Sequence, residues 1–153
     1  MKKVLLLATG GTIASRPGES GLEPERAPAE LLRAVGELEP WYDVTYRGIL
    51  NLDSSNIQAE EWQLIARSVY DALEDYDGIV VTHGTDTMAY TASVLSFMLQ
   101  NLQKPVVLTG SQLPVGTPLS DARSNLATAL AAVDSDVRGV SIAFNHKIIR
   151  GCS

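Results

Sequence analysis

Two short stretches of this chain carry residue types able to attack and hold a small polar molecule. The first is Thr9-Gly10-Gly11-Thr12-Ile13-Ala14-Ser15, and the second is Thr82-His83-Gly84-Thr85-Asp86-Thr87. Gly10, Gly11 and Gly84 let backbone amides come close to a ligand. A helix beginning near Asp86 would offer its unpaired amides to an anion. Thr12 and Thr85 supply hydroxyls, and Asp86 is the one carboxylate in the two stretches. This set suits a ligand bearing both an ammonium and a carboxylate. It also suits attack by a hydroxyl, given a base to take the proton. The competing readings are phosphate chemistry and a nucleotide-binding protein of flavodoxin type. The sequence contains neither a Gly-x-x-x-x-Gly-Lys-Ser/Thr loop nor a Gly-x-Gly-x-x-Gly fingerprint to support them. The plainest alternative makes the glycines tight turns and the threonines helix caps. It explains one such loop more readily than several together.

The flanking patterns say what must position these loops. Val4–Ala8, Ile79–Thr82 and Val106–Leu108 are apolar runs without alternation, as expected of strands covered on both faces. Val44–Arg47 and Val140–Phe144 alternate, which predicts partly exposed strands at the two sheet edges. Trp62, Ile65, Ala66, Val69 and Leu73 recur at helical spacing. So do Met88, Ala92, Leu95, Leu99 and Leu102, and a third set of Ala122, Leu126, Ala129, Leu130 and Val133. A further helix is expected from Pro28 through Leu31, Leu32 and Val35, and Arg16–Ala27 reads as a loop. Strands alternating with helices predict an α/β fold: a doubly wound, mostly parallel sheet with helices on both faces, flavodoxin- or Rossmann-like, in the order 2-1-3-4-5. Ligands of such sheets bind beyond the carboxyl ends of the strands where the winding reverses, here between the first and third strands. Both Gly/Thr loops leave the sheet at that point, and Thr109-Gly110-Ser111-Gln112 borders them.

Composition excludes several classes. The chain has 153 residues, enough for one domain that removes roughly 70% of its unfolded surface from water. A net charge of −6 and an isoelectric point near 4.8 argue against a broad nucleic-acid or anionic-membrane surface. The lone Cys152 excludes an internal disulfide framework and favours a reducing compartment. Lys2-Lys3 before Val4–Ala8 imitates a secretory signal, but Thr9-Gly10-Gly11-Thr12 cuts the apolar run short. No stretch approaches the roughly 18 apolar residues of a membrane span. The reading is a cytoplasmic protein. His83, His146 and Cys152 share no zinc-ligand spacing, so no metal is expected. His83 reads as a hydrogen-bonded structural residue, Trp41 and Trp62 as packing residues, and Glu74-Asp75-Tyr76-Asp77 as a solvated helix end.

Taken together, Thr9-Gly10-Gly11-Thr12-Ile13-Ala14 and His83-Gly84-Thr85-Asp86-Thr87-Met88 resemble the bacterial L-asparaginase family, nearest its cytoplasmic type I branch. The resemblance continues through Asp53-Ser54-Ser55-Asn56, Lys104-Pro105-Val106-Val107, Thr109-Gly110-Ser111 and Arg150-Gly151. It implies that residues 1–153 form the family's N-terminal α/β domain, with the smaller C-terminal domain outside this chain. It further implies an amidohydrolase that converts L-asparagine, with L-glutamine as the alternative substrate, without a cofactor. Thr12 would be the nucleophile and Thr85 the second catalytic threonine. Asp86 would hold the substrate ammonium and Ser54 and Ser55 its carboxylate, with Asp53 lining the same loop. The Thr85 amide would help stabilise the oxyanion. A homodimer or homotetramer is implied, with no nucleic-acid or membrane partner.

The sequence departs from the family pattern at two points. Leu22 stands where much of the family has a loop tyrosine, and the family's catalytic lysine would fall past Arg150-Gly151. The alternative expectation is therefore a truncated, inactive module that keeps the amino-acid pocket or the oligomer surface.

Overall fold

The computed structural model describes residues 2–10, 41–52, 59–85, 87–110, 122–135, 137–145 and 147–150. Six strands form one sheet: β1 (Lys2–Gly10), β2 (Tyr42–Leu52), β3 (Gly78–Thr82), β4 (Pro105–Thr109), β5 (Gly139–Phe144) and β6 (Lys147–Arg150). Among the described residues three helices accompany them: α1 (Ala59–Ala72), α2 (Met88–Met98) and α3 (Ala122–Asp134). The sheet order is β2-β1-β3-β4-β5-β6, parallel except for antiparallel β6. The expected α/β architecture and the order 2-1-3-4-5 are both present.

Successive side chains of a strand point to opposite faces, so a strand buried on both faces must be apolar throughout. β1 shows this division. Val4 and Leu6 join Val80, Val107 and Ala143 beneath Leu126, Ala129, Leu130 and Val133 of α3. Leu5 and Leu7 join Ile79, Val81, Val106 and Leu108 beneath α1 and α2, which contribute Ile65, Val69, Met88, Ala92 and Leu95. β3 and β4 are buried at every position. On β2 the partly buried Tyr42, Val44 and Tyr46 alternate with exposed Asp43, Thr45 and Arg47, as an edge strand should.

Several expectations need correction. β5 is not an edge: β6 pairs outside it, from Ser141↔Arg150 to Phe144↔Lys147. The alternation in Val140–Phe144 therefore does not mark an exposed face, and the small polar Ser141 is fully buried. Trp41 is not packed. It precedes the outer strand β2 and is 66% exposed. The acidic run is solvated as expected, with Glu74, Asp75 and Asp77 exposed, and Asp77 in addition clips the start of β1. Its carboxylate accepts from the Lys3 amide at 2.8 Å, and its own amide donates to the Lys3 carbonyl at 2.7 Å. α2 ends at Met98, although Leu99 and Leu102 still pack on the core as expected. The expected helix at residues 28–35 lies outside the described residues.

Candidate active site

The carboxyl ends of the parallel strands are tied together by short polar contacts. Ala8 of β1 is the register partner of Thr82 of β3, and the Thr9 hydroxyl donates to the Thr82 carbonyl at 2.7 Å. The His83 amide donates to the Thr109 carbonyl at 2.9 Å, joining the ends of β3 and β4. The Thr109 hydroxyl donates to the Ala143 carbonyl of β5 at 2.7 Å. Three threonines and a histidine that looked like loop residues thus close the edge of the sheet. All are at most 2% exposed.

Asn125 of α3 secures the next position along. Its side-chain nitrogen donates to the Gly110 carbonyl at 2.7 Å, and its side-chain oxygen accepts the Asn145 amide at 2.9 Å. A carbonyl can only accept and an amide can only donate, so the two contacts fix which way the Asn125 amide faces. Asn145 adopts a left-handed backbone (φ 55°), which lets the chain reverse from β5 into β6.

Gly110 is needed for close approach. A Cβ there would stand 2.3 Å from the His83 carbonyl oxygen and 3.7 Å from the Thr85 side chain. No substituted residue allows the β3 and β4 loops to meet at this distance. Of the expected site residues, only Thr85 falls within the described residues. It is partly buried beside Gly110. Thr12, Asp53, Ser54, Ser55 and Asp86 lie outside the described residues. The stretches that hold Thr12 and Asp53, Ser54 and Ser55 begin at adjoining points of the sheet, because Gly10 and Leu52, where β1 and β2 end, are register partners.

His83 has the structural setting expected of it. Its ring is 1% exposed, with Nδ1 at 2.8 Å from the Gly84 carbonyl and Nε2 at 3.0 Å from the Thr91 hydroxyl. That hydroxyl also receives the Trp62 indole N–H at 2.8 Å. Burial pushes the imidazole below its ordinary pKa, and the bond to Gly84 only partly opposes the shift. Trp62 packs as expected, stacked on Tyr90 with ring centroids 5.9 Å apart. Thr91 and Asn125 were not singled out from sequence. The available signal was a polar residue on the buried face of an apolar helix, Thr91 beside Ala92 and Asn125 beside Leu126.

The opposite edge of the sheet looks different. A cavity of about 310 Å³ lies there between the ends of α1 and α2, lined by Tyr70, Leu73, Met98, Leu99 and Lys104 among others. Lys104 donates from its ammonium to the Leu73 and Tyr76 carbonyls, so its charge serves the end of α1. Among the described residues no group of three or more His, Cys, Asp or Glu side chains gathers as a metal site. No described helix is long and apolar enough to cross a membrane.

Residues 3–153 match the family described as Asparaginase, N-terminal. The L-asparaginase of Thermococcus kodakarensis is 49% identical over 150 residues, covering 97% of this chain and 46% of that protein. Its solved structure superposes with a TM-score of 0.88 at 48% identity, over 97% of this chain and 46% of that one. L-asparaginase 1 of Escherichia coli is 41% identical over 157 residues, covering 98% of this chain and 46% of the relative. A glutamyl-tRNA(Gln) amidotransferase polypeptide of Thermoplasma volcanium is 38% identical over 151 residues, covering 98% of this chain and 37% of the relative. The chain therefore spans about half the length, or less, of the curated relatives it matches.

Proposed function

This chain belongs to the asparaginase family through its N-terminal domain, and from that membership we propose that the protein carrying it hydrolyses L-asparagine to L-aspartate and ammonia. The observation that best supports this reading is the seam at the winding reversal. The Thr9 hydroxyl is bonded to the Thr82 carbonyl there, and Gly110 leaves the His83–Thr85 turn room that a side chain would fill. Two hydroxyl-bearing loops thus start from neighbouring points on a rigid edge, where acyl transfer needs a nucleophile and an oxyanion donor on opposite sides of one carbonyl.

In the proposed sequence the Thr12 oxygen attacks the carbon of the side-chain amide and gives up its proton to a base. The carbonyl electrons move onto oxygen, and the Thr85 amide faces that developing charge. Collapse expels the amide nitrogen as ammonia after protonation and leaves an ester on Thr12. Water then attacks the ester, and aspartate departs as the Thr12 hydroxyl re-forms. Thr85 and Asp86 act from the second loop, with Asp86 on the substrate ammonium and Ser54 and Ser55 on its carboxylate beside Asp53.

Within the family we assign the protein to the cytoplasmic type I branch, supported by the 41% identity to L-asparaginase 1 of Escherichia coli and by the lone cysteine. We assign it a homodimeric or homotetrameric state, which the mass in solution measures. The test of function is ammonia release from L-asparagine and L-glutamine, supplied separately, by the protein as its gene encodes it. Asparagine turnover that Thr12→Ala abolishes is the expected result. Undiminished turnover in that variant rejects the nucleophile. Retained aspartate binding without turnover in the unmodified protein replaces the enzyme with an amino-acid-binding module.

A further inference from the structure

Behind the candidate site lies a chain of hydrogen bonds that the acyl-transfer reading does not use. The Trp62 indole N–H on α1 can only donate, and it meets the Thr91 hydroxyl of α2 at 2.8 Å. The same hydroxyl lies 3.0 Å from His83 Nε2, and His83 Nδ1 lies 2.8 Å from the Gly84 carbonyl. That carbonyl can only accept, so Nδ1 carries the ring proton. Burial keeps the ring neutral, so Nε2 presents its lone pair and Thr91 donates to it. Each contact in the row thus has one direction, and donation runs from Trp62 through Thr91 and His83 to Gly84.

The last link has a stereochemical consequence. No described peptide bond is cis, and in a trans peptide the C=O and N–H point in opposite directions. Holding the Gly84 carbonyl on the imidazole therefore turns the Thr85 N–H away from it. On the other side of the turn, a Cβ at Gly110 would stand 2.3 Å from the His83 carbonyl oxygen and 3.7 Å from the Thr85 side chain, so the β4 loop leaves this turn no room for a side chain there. We propose that Trp62, Thr91 and His83 form a positioning relay that fixes the Gly84–Thr85 peptide, and with it the direction of the Thr85 amide. None of the three needs to touch substrate. The relay links two helices of one layer to a single peptide plane, and Thr91 is its central member because it both donates and accepts. Its effect on turnover rests on the function proposed above. Its geometry does not.

The test uses the protein as its gene encodes it, with ¹⁵N-labelled histidine and threonine. Thr91→Val removes the hydroxyl at nearly constant volume, and Thr91→Ser keeps it. Thr91→Val is expected to move the His83 ring-nitrogen and Thr85 amide resonances, and Thr91→Ser to leave both near their original positions. With L-asparagine, Thr91→Val is expected to lower kcat by about 10- to 100-fold with little change in KM, as for a misplaced reacting group, and Thr91→Ser to recover most of it. If Thr91→Val does not fold, Trp62→Phe keeps the ring stack on Tyr90 and removes only the indole donor, and the same two resonances are expected to move less far. Unmoved resonances in a folded variant overturn the relay, and a displaced Thr85 amide with unchanged kcat overturns its effect on turnover. An unmodified protein that leaves asparagine intact defeats the proposed function instead, and the two resonances still decide the relay.

Discussion

The Thr9 hydroxyl donates to the Thr82 carbonyl at 2.7 Å, while the Thr82 hydroxyl, also buried, has no hydrogen-bond partner among the described residues. Two threonines on neighbouring strands thus have opposite energetic standing. Thr9→Val leaves a buried carbonyl short of a donor and is expected to lower stability by about 1–2 kcal/mol. Thr82→Val removes an unpaired buried hydroxyl at almost no change in shape, and is expected to be neutral or stabilising by about 1 kcal/mol. Urea midpoints at constant m-value read both. Equal losses in the two variants contradict the assignment.

Gly110→Ala puts a methyl 2.3 Å from the His83 carbonyl oxygen, a backbone atom that cannot swing aside. The β3 and β4 loops must separate, at an expected cost of about 1–3 kcal/mol. Because Thr85 sits on the same turn, asparagine turnover should fall more steeply than stability alone accounts for. Thermal melts and ammonia release on the same preparation separate the two effects.

Asn125→Asp tests the bridge between α3 and the two turns. A carboxylate can still accept the Asn145 amide, but it has no donor for the Gly110 carbonyl and places charge against it. An expected loss of about 2–3 kcal/mol at neutral pH follows from an unsatisfied and repelled buried carbonyl. Part of the loss should return on acidification, since the protonated acid regains an O–H. Chemical denaturation at two pH values checks this.

His83 gives stability a pH dependence of predictable sign. Its folded pKa lies below the ordinary value of 6.5, principally through burial. Between the two values the unfolded chain binds more protons than the folded one, so acidification favours unfolding. The contribution of His83 is fully present above about pH 6.5 and is lost as pH falls toward the folded pKa. His83→Gln should flatten the stability curve in that window. An unchanged slope in the variant rules His83 out as its source.

The parts of the fold legible in sequence were those where burial acts on every residue. β1, β3 and β4 read directly because both faces of a central strand must be apolar. β6 did not, because Lys147–Arg150 is four residues long and exposed throughout, so no burial pattern is written into it. Ser141 made β5 look half-solvated, since a hydroxyl buried inside the sheet, without a partner among the described residues, follows no hydrophobic pattern. Around the site, the Gly-Thr-Asp setting singles out Thr85, which lies partly buried near Gly110. Thr91 was hidden, because its role depends on where α1 brings Trp62 and where β3 delivers His83. Such a role exists only after packing.

The Asp77–Lys3 clip joins residues 74 positions apart and marks when β1 acquires its inner neighbour. During translation at roughly 5–20 residues per second, β1 leaves the ribosome about 4–15 s before β3 can pair with it. For that interval Val4–Ala8 is an apolar strand whose β3 edge is open, guarded in sequence by Lys2 and Lys3. The central place that makes β1 so thoroughly buried at the end therefore makes it an aggregation-exposed segment of the nascent chain.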